Sequence, residues 1–339
     1  MLNQAVINLN TIRKNAKSVK GKLKTGVKLC AVVKADAYGH GLEKVSSALY
    51  SLADCFAVAI AEDGFSLRLS GIDKEVLILT PVADSEADKT VHYDFTHTCF
   101  KIEQIKMLSA IAKKQDKTAN VHLKFNAGMN RFGVDTLKEL KELLSFCKTQ
   151  KHICVKGLYS HLSTPSDKNS LKTQVNKFLL AKNIVKGYNN KVVCHISASG
   201  GFLAGVQQDM VRVGLLLYGY KPFVSDLVSV KPAMKIYAPL MQKRNIFAGD
   251  TALYGDKLCT SKKELSLIRY GYADGLSRQE DCMLFNNRCM DVSAYTDIRL
   301  TKRGALVMDN AEEIARMHGT ISYEILTKSA IKAEKIYLD

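Results

Sequence analysis

Eight short runs rich in β-branched and other apolar residues recur along the first part of the 339-residue chain. The runs are KLCAVVKA, CFAVAI, EVLILT, DFTHTC, ANVHLKF, ICVKGLYSH, KVVCHIS and DMVRVGLLLYG. Amphipathic segments such as KIEQIKMLSAIAKKQ and DTLKELKELLSFCKTQ separate most of them, whereas the connector VADSEADK is ambiguous. Eight strand–helix units over about 215 residues predict a closed parallel (β/α)8 barrel of the TIM type rather than an open sheet, since such a barrel uses about 200 to 250 residues.

The pattern changes at about Val224. Later runs such as AMKIYAPLMQKRNIF, ELSLIRYGYA and KIYLD are typical of strands joined by turns, and only NAEEIARMH has the spacing of a helix. We therefore expect an α/β barrel over residues 1–223 and a mostly β domain over residues 224–339, with which the opening residues 1–8 could pair.

The formal net charge of +16 raises nucleic acid as a partner. The excess is mostly lysine spread along the chain, with no block of five or six like charges, and such a distribution is typical of a solvated surface. We therefore expect no nucleic-acid partner. A positive surface also attracts anionic small molecules, such as phosphate-bearing cofactors and carboxylate substrates.

The nine cysteines are scattered without a C-x-x-C pair, a pattern that favours reduced, packed thiols over a metal site or a disulfide framework. The opening residues lack the apolar core of a signal peptide, and no apolar run is long enough to span a bilayer. We therefore expect a cytoplasmic protein without a membrane partner and without a metal.

Polar residues follow several predicted strands at the carboxyl end, where a barrel of this type places its active site. Lys34 closes the first strand. It is either a lysine whose charge reaches solvent at the barrel rim or a buried amine that can form an imine. Polar residues at five strand ends around one barrel mouth favour the imine-forming amine. Besides Lys34, the fifth strand end carries Lys124, Asn126 and Arg131, the sixth carries His161, the seventh carries Ser199 and the eighth carries Arg212.

Seven motifs occur in the order AVVKADAYGHG, GMNRFGV, VRVGLLLYGY, LYGD, GYADG, CMD and ISYE. Through them the chain resembles the bacterial alanine racemases, a barrel-type (fold-type III) family that depends on pyridoxal 5′-phosphate (PLP). The resemblance runs from about residue 4 to the C-terminus. Several motifs in order are specific, whereas any one of the short motifs would be weak.

The resemblance implies that Lys34 holds PLP covalently and that Arg212 donates to its pyridine nitrogen. Because arginine stays protonated, the nitrogen would remain neutral, and a short-lived carbanion suits racemisation by limiting side reactions. The residues that would hold the phosphate are Tyr38, Ser199, Gly214, Leu215 and Tyr323.

Racemisation needs proton-transfer groups on opposite faces of the substrate Cα, each within about 3 Å of the proton. On the resemblance, Lys34 serves one face and Tyr254 of the partner subunit serves the other, in a head-to-tail homodimer. A tyrosine is a poor base unless cations or hydrogen bonds favour its phenolate. In the family a histidine and an arginine favour the phenolate, and the matching residues in this chain are His161 and Arg212. The alternative is that Tyr254 is an ordinary interface aromatic.

The resemblance also implies that Arg131 binds the substrate carboxylate through its planar fork, helped by the backbone at Met290. The lysine that matches Lys124 is carbamylated in many members, which turns a cation into an anion that orients the arginine. A solvated rim lysine is the alternative for Lys124.

The sequence departs from the family pattern at two positions that bear on the site. Ala198 stands where the family has an asparagine before the phosphate-side serine, so one polar contact in the cofactor network is missing. The segment NNRCMD either shifts an arginine that borders the family's substrate channel to Arg288 or replaces it by Asn287.

Three functions compete. The first is racemisation of alanine, which supplies D-alanine for peptidoglycan. The second is a serine or broad-specificity racemase of the same fold, since small changes in a pocket discriminate substrates by only about 1–3 kcal/mol. The third is a PLP-binding protein without turnover, which the presence of the second domain disfavours.

Overall fold

The computed structural model describes residues 2–254, 258–278 and 288–339. Its strands are β1 (Gln4–Asn8), β2 (Lys28–Val32), β3 (Cys55–Val58), β4 (Val76–Ile78), β5 (Thr96–Cys99), β6 (Ala119–Lys124), β7 (Ile153–Tyr159), β8 (Val193–His195), β9 (Met210–Val213), β10 (Met234–Ala238), β11 (Leu240–Ile246), β12 (Lys263–Ile268), β13 (Ser293–Tyr295), β14 (Leu300–Thr301), β15 (Gly304–Met308) and β16 (Glu334–Leu338).

The helical segments are α1 (Leu9–Lys20), α2 (Lys34–Tyr38), α3 (Leu42–Leu49), α4 (Ala61–Leu69), α5 (Asp84–His92), α6 (Ile102–Lys114), α7 (Leu137–Thr149), α8 (Lys168–Tyr188), α9 (Ser199–Leu203), α10 (Ala311–Met317) and α11 (Ser322–Ser329). Two 3₁₀ helices span Leu215–Tyr218 and Tyr272–Asp274. The ambiguous connector VADSEADK forms α5. Within the described ranges, no helix combines the length and the apolar character needed to cross a membrane.

Eight parallel strands form the barrel in the order β8-β7-β6-β5-β4-β3-β2-β9. Backbone N–H groups of Asp209 and Arg212 donate to the carbonyls of Cys194 and Ser197, each at 3.0 Å, and these bonds join the two ends of the sheet. The eight strands are the eight apolar runs of the sequence, so the predicted fold class is confirmed.

Helices pack outside the barrel because each presents one apolar stripe to it. In α7 this stripe is Leu140, Leu143, Leu144 and Cys147. The helix begins with a capping box, in which Thr136 Oγ1 accepts from the Glu139 N–H and Glu139 Oε2 accepts from the Thr136 N–H, both at 3.1 Å. The cap fixes where the β6–α7 loop ends.

Polar side chains occupy part of the barrel interior. His122 and Lys124 are two residues apart on β6, so they point to the same face of the sheet. Gly157 pairs with His122 on β7, and a Cβ at position 157 would lie 2.4 Å from the His122 ring. Glycine at 157 therefore makes room for the imidazole.

The second domain contains two antiparallel-rich sheets, with orders β14-β15-β10-β1-β16 and β11-β12-β13. The N-terminal strand β1 lies between β10 and β16. The division of the chain at residues 223 and 224 stays a prediction. The expectation of one helix in this domain is wrong, because ISYE opens a second helix, α11, which buries Ile325, Leu326 and Ser329 along one side.

Candidate active site

Lys34 begins a left-handed turn directly after β2. Ala35, Asp36, Ala37 and Tyr38 have φ between 51° and 56°, a region that residues other than glycine rarely adopt. This turn sends the chain sharply away from the strand direction. Lys34 therefore stays at the barrel mouth while Tyr38 turns back into the protein, where its side chain is buried.

His40 holds the end of this turn. Its Nδ1–H faces the carbonyls of Ala37 at 3.1 Å and Tyr38 at 3.0 Å, and its ring stacks on Tyr218 with centroids 4.6 Å apart. Burial lowers the pKa of His40 to about 4, so the imidazole is neutral at physiological pH. The sequence assigned no role to His40, because its partners are backbone atoms of a turn that no local motif predicts.

The second domain braces the turn from outside. A Cβ at Gly39 would lie 2.5 Å from the Leu326 carbonyl oxygen of α11, and a Cβ at Gly41 would lie 1.9 Å from the Tyr337 hydroxyl of β16. Lys335 Nζ pairs with the Asp36 carboxylate at 2.8 Å. The two glycines therefore allow the second domain to approach the Lys34 segment closely.

Tyr38 lies in a cluster of aromatic rings beside Gly214. Its ring centroid is 4.7 Å from that of Tyr218 and 5.8 Å from that of Tyr323. The Tyr218 hydroxyl donates to the Val32 carbonyl at 3.1 Å, which ties the cluster to β2. Of the predicted phosphate ligands, Tyr38, Gly214 and Tyr323 are therefore brought together.

The remaining predicted phosphate ligands lie at the starts of two short helical segments. Ser199 is buried at the first position of α9, and Leu215 opens the 3₁₀ helix that follows β9. Ala198 precedes α9 without a side-chain cap. A Cβ at Gly200, the second residue of α9, would lie 2.6 Å from the Pro165 side chain, which explains why this position carries glycine.

Basic side chains gather at the carboxyl ends of β2, β6, β7 and β9. Burial and then Arg131 lower the pKa of Lys34. Burial, Arg212 and Arg131 hold the pKa of Lys124 well below its ordinary value. Burial together with the Arg212, Lys124, Arg131 and Lys34 charges keeps the pKa of His161 well below 6.5. The charges that depress these three pKa values are all cationic, so the mouth attracts anions.

Arg212 is buried and donates to acceptors on two neighbouring strand ends. Its Nη2 donates to the Ser160 carbonyl at 2.7 Å and faces His161 Nδ1 at 3.4 Å. Its Nη1 donates to His195 Nδ1 at 2.5 Å. These bonds fix the guanidinium plane across the barrel mouth.

Arg131 is carried by a loop that folds back on itself. Asn126 Oδ1 accepts from the N–H groups of Gly128 and Asn130, at 3.1 and 3.0 Å, and Asn126 Nδ2 donates to Asp135 Oδ1 at 2.6 Å. The Arg131 guanidinium stays exposed, with its carbon 5.8 Å from the Phe132 ring centroid. The loop thus presents Arg131 to solvent at the mouth.

Two predicted site residues lie in the second domain, apart from this cluster. Tyr254 is 74% exposed and Met290 is 54% exposed. The Met290 carbonyl accepts from the Ala273 N–H at 3.0 Å. Within one chain, the causes that lower the pKa of Lys34 are burial and Arg131, and they do not include Tyr254 or Met290.

Arg288 bonds within the second domain. It is buried, and its Nη1 donates to the Ser277 carbonyl at 2.9 Å while its Nη2 faces the Tyr295 hydroxyl at 3.4 Å. These bonds join segments of the second domain, and the interpretation that the family's channel arginine is shifted to Arg288 stays a prediction. Asn287, the other alternative, lies outside the described residues.

Three interior residues near Arg212 were missed by sequence reasoning: Tyr159, His195 and His122. Tyr159 stacks on His195 with centroids 5.1 Å apart, and Lys124 Nζ lies 4.0 Å above the Tyr159 ring. A signal was present, because VHL and CHI place a histidine inside an otherwise apolar strand. Which face each histidine occupies depends on strand register, which a single sequence does not contain.

Comparison with known families gives two matches. The family model described as alanine racemase, N-terminal domain, matches residues 7–222. The model described as alanine racemase, C-terminal domain, matches residues 233–337.

Whole-chain comparison gives the same family. A curated alanine racemase from Streptococcus pyogenes is 31% identical, with 98% of this chain and 97% of that protein aligned. One from Aquifex pyrophilus is 31% identical, with 93% and 92% aligned. The solved structure of the Clostridium difficile 630 alanine racemase superposes with a TM-score of 0.92 at 27% identity, covering 100% of this chain and 96% of that one.

Proposed function

The chain belongs to the alanine racemase family of enzymes, and from that membership we propose that it interconverts L- and D-alanine with PLP as its cofactor. The observation that carries the proposal is the cationic mouth of the barrel, formed by Lys34, Lys124, Arg131 and Arg212. Both PLP, through its phosphate, and an amino acid, through its carboxylate, bring the negative charge that this mouth lacks.

The residues fit PLP at three points. Lys34 offers an amine with a lowered pKa, Gly214 lets its backbone lie against the buried Tyr38 hydroxyl, and Arg212 offers a fixed guanidinium. Bound PLP supplies an electron sink that acidifies the Cα proton of an amino acid. We propose that Ser199, Leu215 and Tyr323 complete the phosphate site.

Lys34 acts as the base on one face of the substrate Cα. Because its pKa is lowered, a larger fraction of the amine is unprotonated at neutral pH than for an exposed lysine. The same amine returns a proton to that face in the reverse reaction, since each direction must use the same two groups.

The base on the opposite face is Tyr254 of the partner subunit. Arg212 donates towards His161 Nδ1, so the neutral His161 ring carries its proton on Nε2. That N–H is then free to donate to the phenol oxygen of the arriving tyrosine and favours the phenolate. The exposure of Tyr254 in one chain supports a role in a homodimer whose sites are shared.

Arg131 binds the substrate carboxylate through two parallel N–H groups. The Met290 carbonyl is already bonded to Ala273, so Met290 would contribute its backbone N–H rather than its oxygen. Together these donors orient Cα between Lys34 and Tyr254 of the partner subunit.

Lys124 is suited to carbamylation. Its lowered pKa favours the neutral amine, which attacks CO₂ to form an N–C bond and releases one proton. The resulting carbamate is an anion beside Arg131 and Arg212, whose charges act on Lys124. It would hold the Arg131 fork in place for the substrate carboxylate.

The product D-alanine would serve peptidoglycan synthesis, and we place the enzyme in the cytoplasm. The eight cysteines within the described ranges are all free thiols, which suits a reducing compartment. A serine or broad-specificity racemase remains the alternative. A PLP carrier without turnover is disfavoured, because the chain matches the models of both the N-terminal and the C-terminal domain of alanine racemase.

The test is to load the purified protein with PLP, reduce it with borohydride, map the adduct by mass spectrometry, and assay D-products from a panel of L-amino acids. We expect the adduct at Lys34 and the fastest turnover with alanine. Lys34→Met should lose both the PLP adduct and the turnover of alanine. Lys28→Met, at the opposite end of β2, should keep both. Rescue of a D-alanine auxotroph tests the cellular role. An adduct on another residue, or faster turnover of serine, would contradict the assignment.

A further inference from the structure

A chain of polar side chains crosses the barrel interior away from the active-site mouth. Arg212 Nη1 donates to His195 Nδ1 at 2.5 Å, and His195 Nε2 lies 3.0 Å from His122 Nδ1. His122 Nε2 lies 3.6 Å from Glu75 Oε1. The chain thus runs from the guanidinium at one end of the barrel to a carboxylate at the other.

All donors in this chain point in one direction. Arginine has no acceptor, so His195 Nδ1 must accept and its proton must sit on Nε2. His195 Nε2–H then requires His122 Nδ1 as acceptor, which places the His122 proton on Nε2, facing Glu75. Burial lowers the pKa of His122 to about 4 and that of His195 well below 6.5, so both rings are neutral and each has one defined tautomer.

Glu75 lies where the chain reaches solvent. It precedes β4, its side chain is 34% exposed, and it lines a cavity of about 400 Å³ at the N-terminal end of the barrel, together with His122, Lys28 and Lys156. Thr96 Oγ1 donates to Glu75 Oε1 at 2.8 Å, and the same oxygen faces His122. Four charged groups shift the pKa of His122, namely Glu75, Arg212, Lys156 and Lys28. Of these four, only Glu75 can accept a hydrogen bond.

We infer that Glu75 is a positioning residue for Arg212, acting through the fixed tautomers of His122 and His195. Without an acceptor at position 75, the buried His122 Nε2–H has no partner, so the tautomer that Arg212 and His195 favour loses stability relative to the Nδ1–H form of His122. A proton on His122 Nδ1 would face the His195 Nε2–H, and a flipped His195 would present an N–H to Arg212. The guanidinium would then lose the acceptor that His195 provides to Nη1.

The first experiment uses the apo protein and does not depend on the proposed function. Long-range ¹H–¹⁵N spectra of ¹⁵N-histidine protein report tautomers directly, with His122→Asn and His195→Asn for assignment. We expect both rings to be protonated on Nε2 in the wild type. Glu75→Leu should produce the Nδ1–H form of His122, and Glu75→Gln should restore the wild-type pattern, because its carbonyl still accepts.

The second experiment measures racemisation by the PLP-loaded enzyme, and this arm rests on the proposed function. Glu75→Leu should lower kcat by roughly tenfold, the effect of about one net hydrogen bond, with KM within about twofold of the wild type. Glu75→Gln should recover most of kcat. Asp54→Asn is the matched control, since Asp54 lines the same cavity but bonds the Leu29 N–H at 2.7 Å instead of a histidine.

Several results would overturn the inference: a wild-type His122 protonated on Nδ1, tautomers that do not change in Glu75→Leu, or changed tautomers with unchanged kcat. If Glu75→Leu fails to fold, the test rests on the spectra of the wild type and of Glu75→Gln, in which both rings should be protonated on Nε2. A wild-type protein with the expected tautomers but no racemase activity would contradict the proposed function and leave the inference about the His122 and His195 tautomers intact.

Discussion

The Tyr38 hydroxyl occupies the space that a side chain at position 214 would need. A Cβ built on Gly214 lies 2.5 Å from Tyr38 Oη and 2.9 Å from Cζ, although Gly214 itself has a negative φ. Glycine is therefore required here by proximity rather than by backbone conformation. The pair links the end of the left-handed turn to the segment after β9.

Gly214→Ala should displace Tyr38 and weaken PLP binding. Overpacking of a buried site costs about 1–3 kcal/mol, which corresponds to a Kd roughly 5- to 150-fold higher. Titration of the apo protein with PLP measures this. The control is Gly187→Ala in α8, where a Cβ meets no atom within 4 Å and PLP affinity should not change. Equal affinities in the two variants would contradict the role of the Gly214–Tyr38 pair.

Tyr254→Phe should lower kcat by at least about 100-fold, because it removes one of two proton-transfer groups. PLP binding should persist, because Tyr254 is not among the residues proposed to hold PLP. Absorbance of bound PLP and polarimetric assays in both directions measure the two effects. Tyr93→Phe, at another exposed tyrosine, serves as control. Substantial residual activity in both directions would exclude Tyr254 as the second base.

Mixed dimers test whether each site uses both subunits. Lys34→Ala and Tyr254→Phe should each be inactive alone. Random mixing forms heterodimers in which one of the two sites has both bases, so about a quarter of wild-type activity should return. If each site were built within one chain, both heterodimer sites would lack a base and the mixture would stay inactive. An active monomer in sedimentation at assay concentration would reject the shared site altogether.

Arg131→Gln should raise the pKa of Lys34, because the Arg131 charge is one of the two causes that lower it. Burial, the larger cause, remains, so the pKa should stay below that of an exposed lysine. The pH dependence of reductive methylation of Lys34 in the apo protein, followed by mass spectrometry, gives the midpoint. Arg244→Gln, an exposed arginine on β11, should leave the midpoint in place. A midpoint that does not move in Arg131→Gln would place Arg131 too far from Lys34 to act on it.

Lys124→Met should change how stability depends on pH. The folded-state pKa of Lys124 is lowered, so the unfolded chain binds more protons between that pKa and about 10.5, and stability rises with pH across this window. Without CO₂, the variant should gain about 1.4 kcal/mol at neutral pH for each unit of lowering, and the gain should vanish as pH approaches 10.5.

Urea unfolding at several pH values measures the difference. Lys138→Met, an exposed lysine of α7, should follow the wild-type curve. Lys124→Met and wild-type curves that run parallel would show that folding does not lower the pKa of Lys124.

The barrel could be predicted from sequence because its signal is local and repeated eight times. The position of β1 between β10 and β16 has no such local signal, because that pairing joins residues more than 200 positions apart. The helix α11 was missed because its eight residues carry only a short apolar stripe.

The strand-end residues of the site followed from the barrel prediction, since parallel strands deliver their carboxyl ends to one mouth. The left-handed turn did not, because Ala35, Ala37 and Tyr38 have no intrinsic preference for that conformation. It is imposed by tertiary contacts. The His122–His195 pair was likewise hidden, as it depends on how β6, β7 and β8 are aligned.

Four consecutive residues of the turn are not glycine, and each costs about 1–2 kcal/mol in the left-handed region. Lys335, which pairs with Asp36 of the turn, comes late in the sequence, as do Leu326 and Tyr337, which lie against Gly39 and Gly41 just after it. During translation, all eight barrel strands leave the ribosome before these residues are synthesised. A nascent barrel therefore folds before these contacts to the Lys34 segment can form.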